Sequence, residues 1–183
     1  MSNGIKVKKR NGRGTEALDL EKMHKMVEEA TKGVAGVSAS QVEIQSGIQF
    51  YDGITTDEIQ EILIKSASDL IDLDHPNYQF VAARLLLFAI RKQIYGKMRD
   101  LPHLETHIMS CTNQDVYDKD IFTKYSKEEI DKVNGYIDHE RDFMFTYAGL
   151  RQVVDKYLVQ DRSSGGVYET PQFMYMMIAL TIF

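Results

Sequence analysis

IKVKKRNGRGTEALDLEKMHKMVEEA, residues 5–30, changes its hydrophobic period within one short stretch, and that change sets the fold. Ile5, Val7 and Lys9 alternate with Lys6, Lys8 and Arg10, which is the period of a half-buried strand. Asn11-Gly12-Arg13-Gly14 supplies residues that tolerate positive φ, and Thr15 to Leu18 reads as the return strand. Asp19 then stands where a helix cap belongs, and Leu20, Met23, Val27 and Ala30 fall on one helical stripe. Gly33 and Gly36 end that helix. The stretch predicts a basic β-hairpin feeding an amphipathic helix.

Outward from this point the pattern stays helical. Ser38 and Gln41 form a possible capping box before Val42, Ile44 and Ile48 on a shorter helix. Phe50 to Gly53 makes an extended turn, and Thr55-Thr-Asp-Glu58 is a second capping box. After it, Ile59, Ile62, Leu63, Ala67 and Leu70 line one face. His75-Pro76 predicts the start of a fourth helix, with Phe80, Ala83, Leu87, Ile90 and Ile94 as its stripe and Gly96 as its end. A more polar stretch, with Pro102 and Asn113 as breakers, runs to about Thr123. Ser126 to Glu129 caps a short helix. Asp138 precedes another that carries Phe143, Tyr147, Leu150 and Val154. Lys156 to Gln160 and Val167-Tyr168 flank Ser163-Ser-Gly-Gly166 as a hairpin, and Thr170-Pro171 opens an apolar final helix to Phe183. The expected fold is mainly α with a small β component. Four helices capped by a small sheet fill residues 1–96, and a helical segment with a β-hairpin fills 97–183.

With 183 residues, 43% of them hydrophobic, the chain can bury one sizeable core or a small domain and a second segment. A net charge of −5 argues against a general nucleic-acid binder. The single cysteine, Cys111, leaves no disulfide framework within the chain and no CxxC zinc site. No 18-residue apolar run predicts a membrane span, and the N-terminus lacks a signal-peptide core, so a cytoplasmic location is expected.

The densest electrostatic feature is Lys8-Lys9-Arg10 beside a glycine turn. It suits a polyphosphate, and it equally suits a solvated basic edge that deters strand pairing. Thr55 and Thr56 lie at a predicted helix start, where free N–H groups favour anions, and Arg91 and Lys92 could approach the same point. His103, His107 and Cys111 recur at helical metal-ligand spacing, but no fourth ligand is evident and no metal is expected. His139-Glu140-Arg141-Asp142 reads as a charged first helical turn, not as catalytic.

Five stretches in order resemble the ATP-cone, the nucleotide-binding regulatory domain of ribonucleotide reductases. They are Val7 to Gly12, Leu20 to Met23, Gly53 to Ile59, Tyr78 to Leu85 and Arg91 to Gly96. Beyond the cone, His139 to Tyr147, Lys156 to Val159 and Tyr168 to Gln172 are similar to the N-terminal region of the class I large subunit. By that resemblance Lys9 and Arg10 hold phosphates of ATP or dATP, with or without Mg2+, and Thr56 and Lys92 lie nearby. Val7, Glu16, Lys22, Met23, Ile59 and Phe88 frame the rest of the pocket, with Phe88 equally readable as core. Glu16, Asp19 and Lys22 are implied polar contacts to sugar or phosphates. Gln60 stands where some relatives carry histidine, which leaves base and sugar discrimination open.

The resemblance implies reduction of ribonucleoside diphosphates by radical chemistry that needs at least three cysteines near the substrate; this chain has one. No catalytic residue is therefore expected here, and the catalytic cysteines are expected on a continuation or a partner chain. The implied partners are the remainder of the reductase large subunit, in the same or a separate chain, and a radical-generating small subunit, in an oligomeric assembly. Two other functions stay open. One is a nucleotide-sensing transcriptional regulator, although those place a four-cysteine zinc ribbon before the cone. The other is a degenerate cone kept as an assembly module, docking through Phe173 to Phe183.

Overall fold

The computed structural model describes residues 5–9 and 14–183. Among these, β1 (Lys6–Lys8) pairs antiparallel with β2 (Thr15–Ala17), setting Val7 opposite Glu16. β1 also pairs in parallel with β3 (Ile54–Thr55), setting Val7 opposite Ile54 and Lys8 opposite Thr55, so the sheet order is β2-β1-β3. The expected sheet is therefore present, with a third strand where the sequence shows only a turn and a cap. The Asn11-Gly12-Arg13 turn lies outside the described residues. Four helices follow in the first part of the chain: α1 (Leu20–Thr31), α2 (Ala39–Gly47), α3 (Thr56–Asp69) and α4 (Tyr78–Tyr95). The rest comprises α5 (Leu104–Asn113), α6 (Ile121–Lys124), α7 (Lys127–Asn134), a 3₁₀ helix (His139–Met144), α8 (Tyr147–Lys156) and α9 (Pro171–Ile182). The architecture is mainly helical, and no helix among the described residues is long and apolar enough to cross a membrane.

The chain divides into two compact units. The first runs to Ala89 and includes Phe145–Ala148; the second comprises Ile90–Met144 and Gly149–Phe183. In the first unit Val7, Val27, Ala30, Val42, Ile54, Leu63 and Ala67 are buried, as are Val81, Ala82 and Leu85 of α4. The Arg84 guanidinium donates to the Ala30 and Lys32 carbonyls at 3.1 and 2.7 Å, placing a cation on the carbonyl end of α1. Three local expectations are corrected here. Helix α4 begins at Tyr78, because Asn77 is drawn into a turn by donating to the Ala35 carbonyl at 2.9 Å. The Ser38 side chain makes no cap bond, and Tyr78 replaces the reciprocal half of the box, its hydroxyl accepting from the Ser38 N–H at 3.0 Å and donating to the Gln41 side chain. Leu20, Ile44 and Ile48 are exposed, so their helices bury narrower stripes than the pattern suggests.

In the second unit the core is Leu104, Ile108, Ile121, Ile130, Phe173, Met177 and Leu180. His107 stacks on Phe173, with centroids 4.2 Å apart and 7° between planes. Its Nδ1 meets the Tyr95 hydroxyl at 3.2 Å and its Nε2 the Tyr117 hydroxyl at 3.1 Å. Both ring nitrogens are thus engaged, which removes the His103-His107-Cys111 metal reading. The segment after Asp138 is two elements, the 3₁₀ helix and α8, not one helix. The hairpin near Ser163 forms around a Gln160–Val167 bridge, with the Asp161 N–H donating to Gly166 at 2.8 Å.

Burial holds the imidazoles of His107 and His139 down to about 4, while the same cause raises the Asp142 carboxyl to about 6. The imidazoles titrate near 6.5 when unfolded, so their contribution to stability is lost as pH falls from there toward 4. The Asp142 contribution has the opposite sign, because its folded form takes a proton more readily than the unfolded one. The Glu169 carboxyl, also raised by burial, acts with Asp142, but the two imidazoles are each moved at least as far and outweigh them. The urea midpoint of the second unit, followed by tyrosine fluorescence, is expected to fall steadily between pH 6.5 and 4. A midpoint that stays level or rises would show the buried carboxyls Asp142 and Glu169 to dominate.

Candidate functional site

The sheet places basic side chains beside a helix start. Lys8 lies opposite Thr55 in the parallel ladder, and one residue further along each strand stand Lys9 and Thr56. Thr55 is the N-cap of α3: its hydroxyl accepts from the Glu58 N–H at 3.1 Å, and the Glu58 carboxylate accepts from the Thr55 N–H at 2.8 Å. This reciprocal box leaves other first-turn N–H groups of α3 unpaired within the helix, where they favour an anion. The Glu58 carboxyl lies below its ordinary range, chiefly through the Tyr51 hydroxyl donating at 2.7 Å, then through Thr55. Glu58 remains anionic at neutral pH and fixes the helix start. Thr56 is the first residue of α3, and its Oγ1 is buried with no hydrogen-bond partner.

On the other edge Lys9 Nζ lies 2.6 Å from Glu16 Oε2, with both side chains about 40% exposed. Asp19 caps α1 by accepting from the Lys22 N–H at 3.0 Å, and it also meets Lys22 Nζ at 3.2 Å. The backbone hydrogen bond from Lys22 is the main reason the Asp19 carboxyl sits below its ordinary range; Asp19 in turn raises Lys22. Lys9, Glu16, Asp19 and Lys22 therefore form a solvent-facing run of alternating charge along β1, β2 and the start of α1.

The remaining candidates are dispersed by burial. Val7, Ile59 and Gln60 are buried, Met23 is half-buried, and Phe88 is fully buried as part of the α4 core. Gln60, one turn after Thr56 on α3, shares the helix start with the box. Lys92 lies one turn beyond Phe88 on α4, in the second unit. Arg10 lies outside the described residues. Arg91 is corrected: its guanidinium is 1% exposed and lies 3.3 Å from Asp142, so it is a buried ion pair, not a surface phosphate contact. Sequence reasoning missed Tyr51, whose phenol holds Glu58 in the cap. The T-x-x-E pattern was the only available signal, and it says nothing of a tyrosine upstream.

His103, Glu105 and Asp131 bring three potential metal-ligand atoms within 4.8 Å of one another. His103 Nδ1 already accepts from the Glu105 N–H at 3.3 Å, so its Nε2 carries the proton and faces Asp131 at 3.5 Å. A metal on Nε2 would need either an imidazolate or loss of that cap. Lys127 at 3.4 Å already partners Glu105.

Replacing Thr55 by alanine removes one donor–acceptor pair from the α3 cap. Thr55→Ala is expected to lower stability in urea denaturation by roughly 0.5–2 kcal/mol. An unchanged midpoint would show that the box does not hold the helix start.

Comparison with known proteins gives two family matches. The ATP cone domain matches residues 5–93, and the ribonucleotide reductase all-alpha domain matches residues 143–183. The chain is 43% identical over 183 residues to the ribonucleoside-diphosphate reductase subunit alpha of Haemophilus influenzae, covering 100% of this chain and 24% of that protein. The ribonucleoside-diphosphate reductase 1 subunit alpha of Escherichia coli gives the same identity and coverage. The subunit alpha of Helicobacter pylori is 40% identical over 178 residues, 96% of this chain and 22% of its own length. The chain spans about a quarter of the length of the curated relatives it matches.

Proposed function

We propose an allosteric role for the chain, from the match of residues 5–93 to the ATP cone domain and of residues 143–183 to the ribonucleotide reductase all-alpha domain. It is the N-terminal part of an aerobic ribonucleoside-diphosphate reductase large subunit. Residues 1–96 serve as the cone, and residues 97–183 begin the helical region. The cone takes ATP or dATP as effector, with or without Mg2+, and controls overall activity in deoxyribonucleotide synthesis. Ribonucleotide reduction itself is carried by cysteines on the remainder of the large subunit, served by a radical-generating small subunit.

The observation that supports this reading is the parallel register of β1 and β3, which sets Lys8 opposite Thr55 and so brings the backbone at Lys9 beside the start of α3. A triphosphate needs cations and free N–H groups on one side of a cleft, together with hydroxyls that accept no other partner. Lys9 supplies the cation, the first turn of α3 the N–H groups, and Thr56 a buried hydroxyl without a partner. The residues fit the group. Lys22 and Glu16 stand at the other edge, where ribose hydroxyls or further phosphate oxygens would be met. The effectors differ by one 2′-hydroxyl, so discrimination rests on a small local contact. A coupling of about 1–3 kcal/mol between sites is enough for a useful response.

The apolar residues exposed on α9, Tyr175, Ile178 and Ile182, fit the same reading. We assign them to packing against the remainder of the large subunit, whether one chain or a separate polypeptide supplies it. The repressor reading leaves the match of residues 143–183 to the ribonucleotide reductase all-alpha domain without an account.

Isothermal titration calorimetry tests the assignment. ATP and dATP are each expected to bind with submillimolar affinity. Lys9→Ala is expected to weaken ATP by roughly tenfold to a hundredfold, the loss of one charge-assisted hydrogen bond of about 1.5–3 kcal/mol. Lys65→Ala, at an exposed position paired with Asp69 near the far end of α3, serves as the control and is expected to leave affinity unchanged. No heat from either nucleotide on folded protein at millimolar concentration overturns the site.

A further inference from the structure

The turn that precedes β3, Tyr51-Asp52-Gly53, holds no residue assigned to the nucleotide, yet it is bonded to both elements that frame the site. The Asp52 carboxylate accepts from the Lys6 N–H at 2.9 Å, and the Gly53 N–H donates to the Lys6 carbonyl at 2.8 Å. Both backbone polar groups of the first residue of β1 are thus taken by the turn. Gly53 enters β3 at φ +86°, a conformation that favours glycine. Tyr51 reaches the other way: its hydroxyl donates to Glu58 Oε1 at 2.7 Å, while Glu58 Oε2 accepts from the Thr55 N–H at 2.8 Å. Three consecutive residues therefore join the start of β1 to the first turn of α3.

We propose that Asp52 and Tyr51 are positioning residues for the nucleotide site, Asp52 by closing the ladder between β1 and β3 and Tyr51 by holding the cap of α3. This rests on the nucleotide reading above and deepens it. The physical argument is ladder length. β1 and β3 pair at two positions only, and so short a pairing is marginal by itself. Parallel strands cannot share a tight turn, and Lys6 and Asp52 lie 46 residues apart, so no hairpin holds this edge together. Asp52 lengthens the ladder by one bond, using a side chain where the paired backbone of β3 has run out. Alignment of the Lys9 backbone with the start of α3 depends on that ladder, so whatever shortens it loosens the site. Tyr51 acts on the helix side. A carboxylate held on one oxygen by a phenol and on the other by a backbone N–H cannot swing into solvent without losing both. The direction of the other first-turn N–H groups of α3 is then fixed before a ligand arrives, and such preorganisation is expressed as affinity. Neither side chain needs to touch the nucleotide.

Calorimetric titration of the full chain with ATP–Mg2+ tests the assignment, with urea denaturation showing which variants are folded. Asp52→Ala removes the acceptor and is expected to weaken ATP by roughly threefold to tenfold at unchanged stoichiometry. Asp52→Asn keeps an oxygen for the Lys6 N–H and is expected to stay within about twofold of wild type. That rescue separates the hydrogen bond from the charge, because an effect of charge would move both variants alike. Tyr51→Phe keeps the ring and loses only the hydroxyl, and it too is expected to weaken ATP by roughly threefold to tenfold. It decides the matter if Asp52→Ala does not fold. Wild-type affinity in folded Asp52→Ala or in Tyr51→Phe, or an equal loss in Asp52→Asn, overturns the proposal and leaves the nucleotide site standing. A fall in stoichiometry at wild-type affinity marks a merely structural role and also overturns it. No binding by the wild-type chain removes the site and its positioning residues together.

Discussion

Helix α4 has no free face. From Tyr78 to Lys92 no residue is exposed, and Val81, Ala82, Ala83, Leu85, Leu86, Leu87, Phe88 and Ile90 are buried in succession around its circumference. A helix apolar on all sides cannot lie on a surface and must be enclosed. Much of the rest follows from that. Tyr78 at its start orders the beginning of α2, donating to Gln41 and accepting from the Ser38 N–H at 3.0 Å. Arg84, midway along, closes the end of α1. Arg91, near its end, is obliged to find its counter-charge inside the protein because no water reaches it.

That obligation also explains why sequence adjacency misleads about this cation. Arg91 and Lys92 are adjacent in sequence and both basic, so both suggest a phosphate contact. Helical geometry separates them by about 100° around the axis, which sends one inward and leaves the other half-buried. Only the partner, Asp142, reveals which is which, and it lies 51 residues away. Burial of Asp142 raises its carboxyl while Arg91 opposes that rise; desolvation is the larger effect on both groups. Such a pair contributes little net stability over apolar residues of similar size, yet removing either partner is costly. It specifies arrangement more than it adds stability.

Local chemistry was legible in the sequence and distant chemistry was not. The caps Thr55–Glu58 and Ser126–Glu129 form as their four-residue pattern predicts, because every bond in them is made within one turn. Ser38–Gln41 has the same pattern and fails, and the hydroxyl of Tyr78, 37 residues from Gln41, replaces the reciprocal half of the box. Strand β3 is two residues long and pairs in parallel with β1, so no periodicity could announce it. Helix α5 was hidden by composition. Its buried face reads Leu104, His107, Ile108, Cys111, Thr112, a helical spacing in which three of five residues are not plain hydrocarbons. His107 and Cys111 also share metal-ligand spacing with His103, but His107 is a packed core residue, stacked on Phe173 with Tyr95 and Tyr117 on its nitrogens. Of the candidate site, the basic strand and the start of α3 were visible as motifs. Their adjacency was not, because it depends on β3.

The charge pairs at the site set how a polyanion would enter it. Lys9 is held by Glu16 and Lys22 by Asp19, so neither cation is idle before a ligand arrives. Both pairs are exposed and screened by solvent, so each holds its lysine weakly, whereas one triphosphate offers several charge-assisted bonds at once. Exchange of carboxylate for phosphate is therefore downhill at each lysine, and a triphosphate makes several such exchanges at once. The displaced carboxylates are not wasted. Glu16 on β2 and Asp19 at the cap of α1 are acceptor-only groups, suited to hydroxyl donors and repelled by phosphate. On the proposed reading, alternation of sign along β1, β2 and α1 would orient a nucleotide, drawing phosphates toward the lysines and leaving sugar hydroxyls to the acids. A uniformly basic surface would bind the same triphosphate in any pose, and a regulator that must tell a hydroxyl from a hydrogen needs one pose.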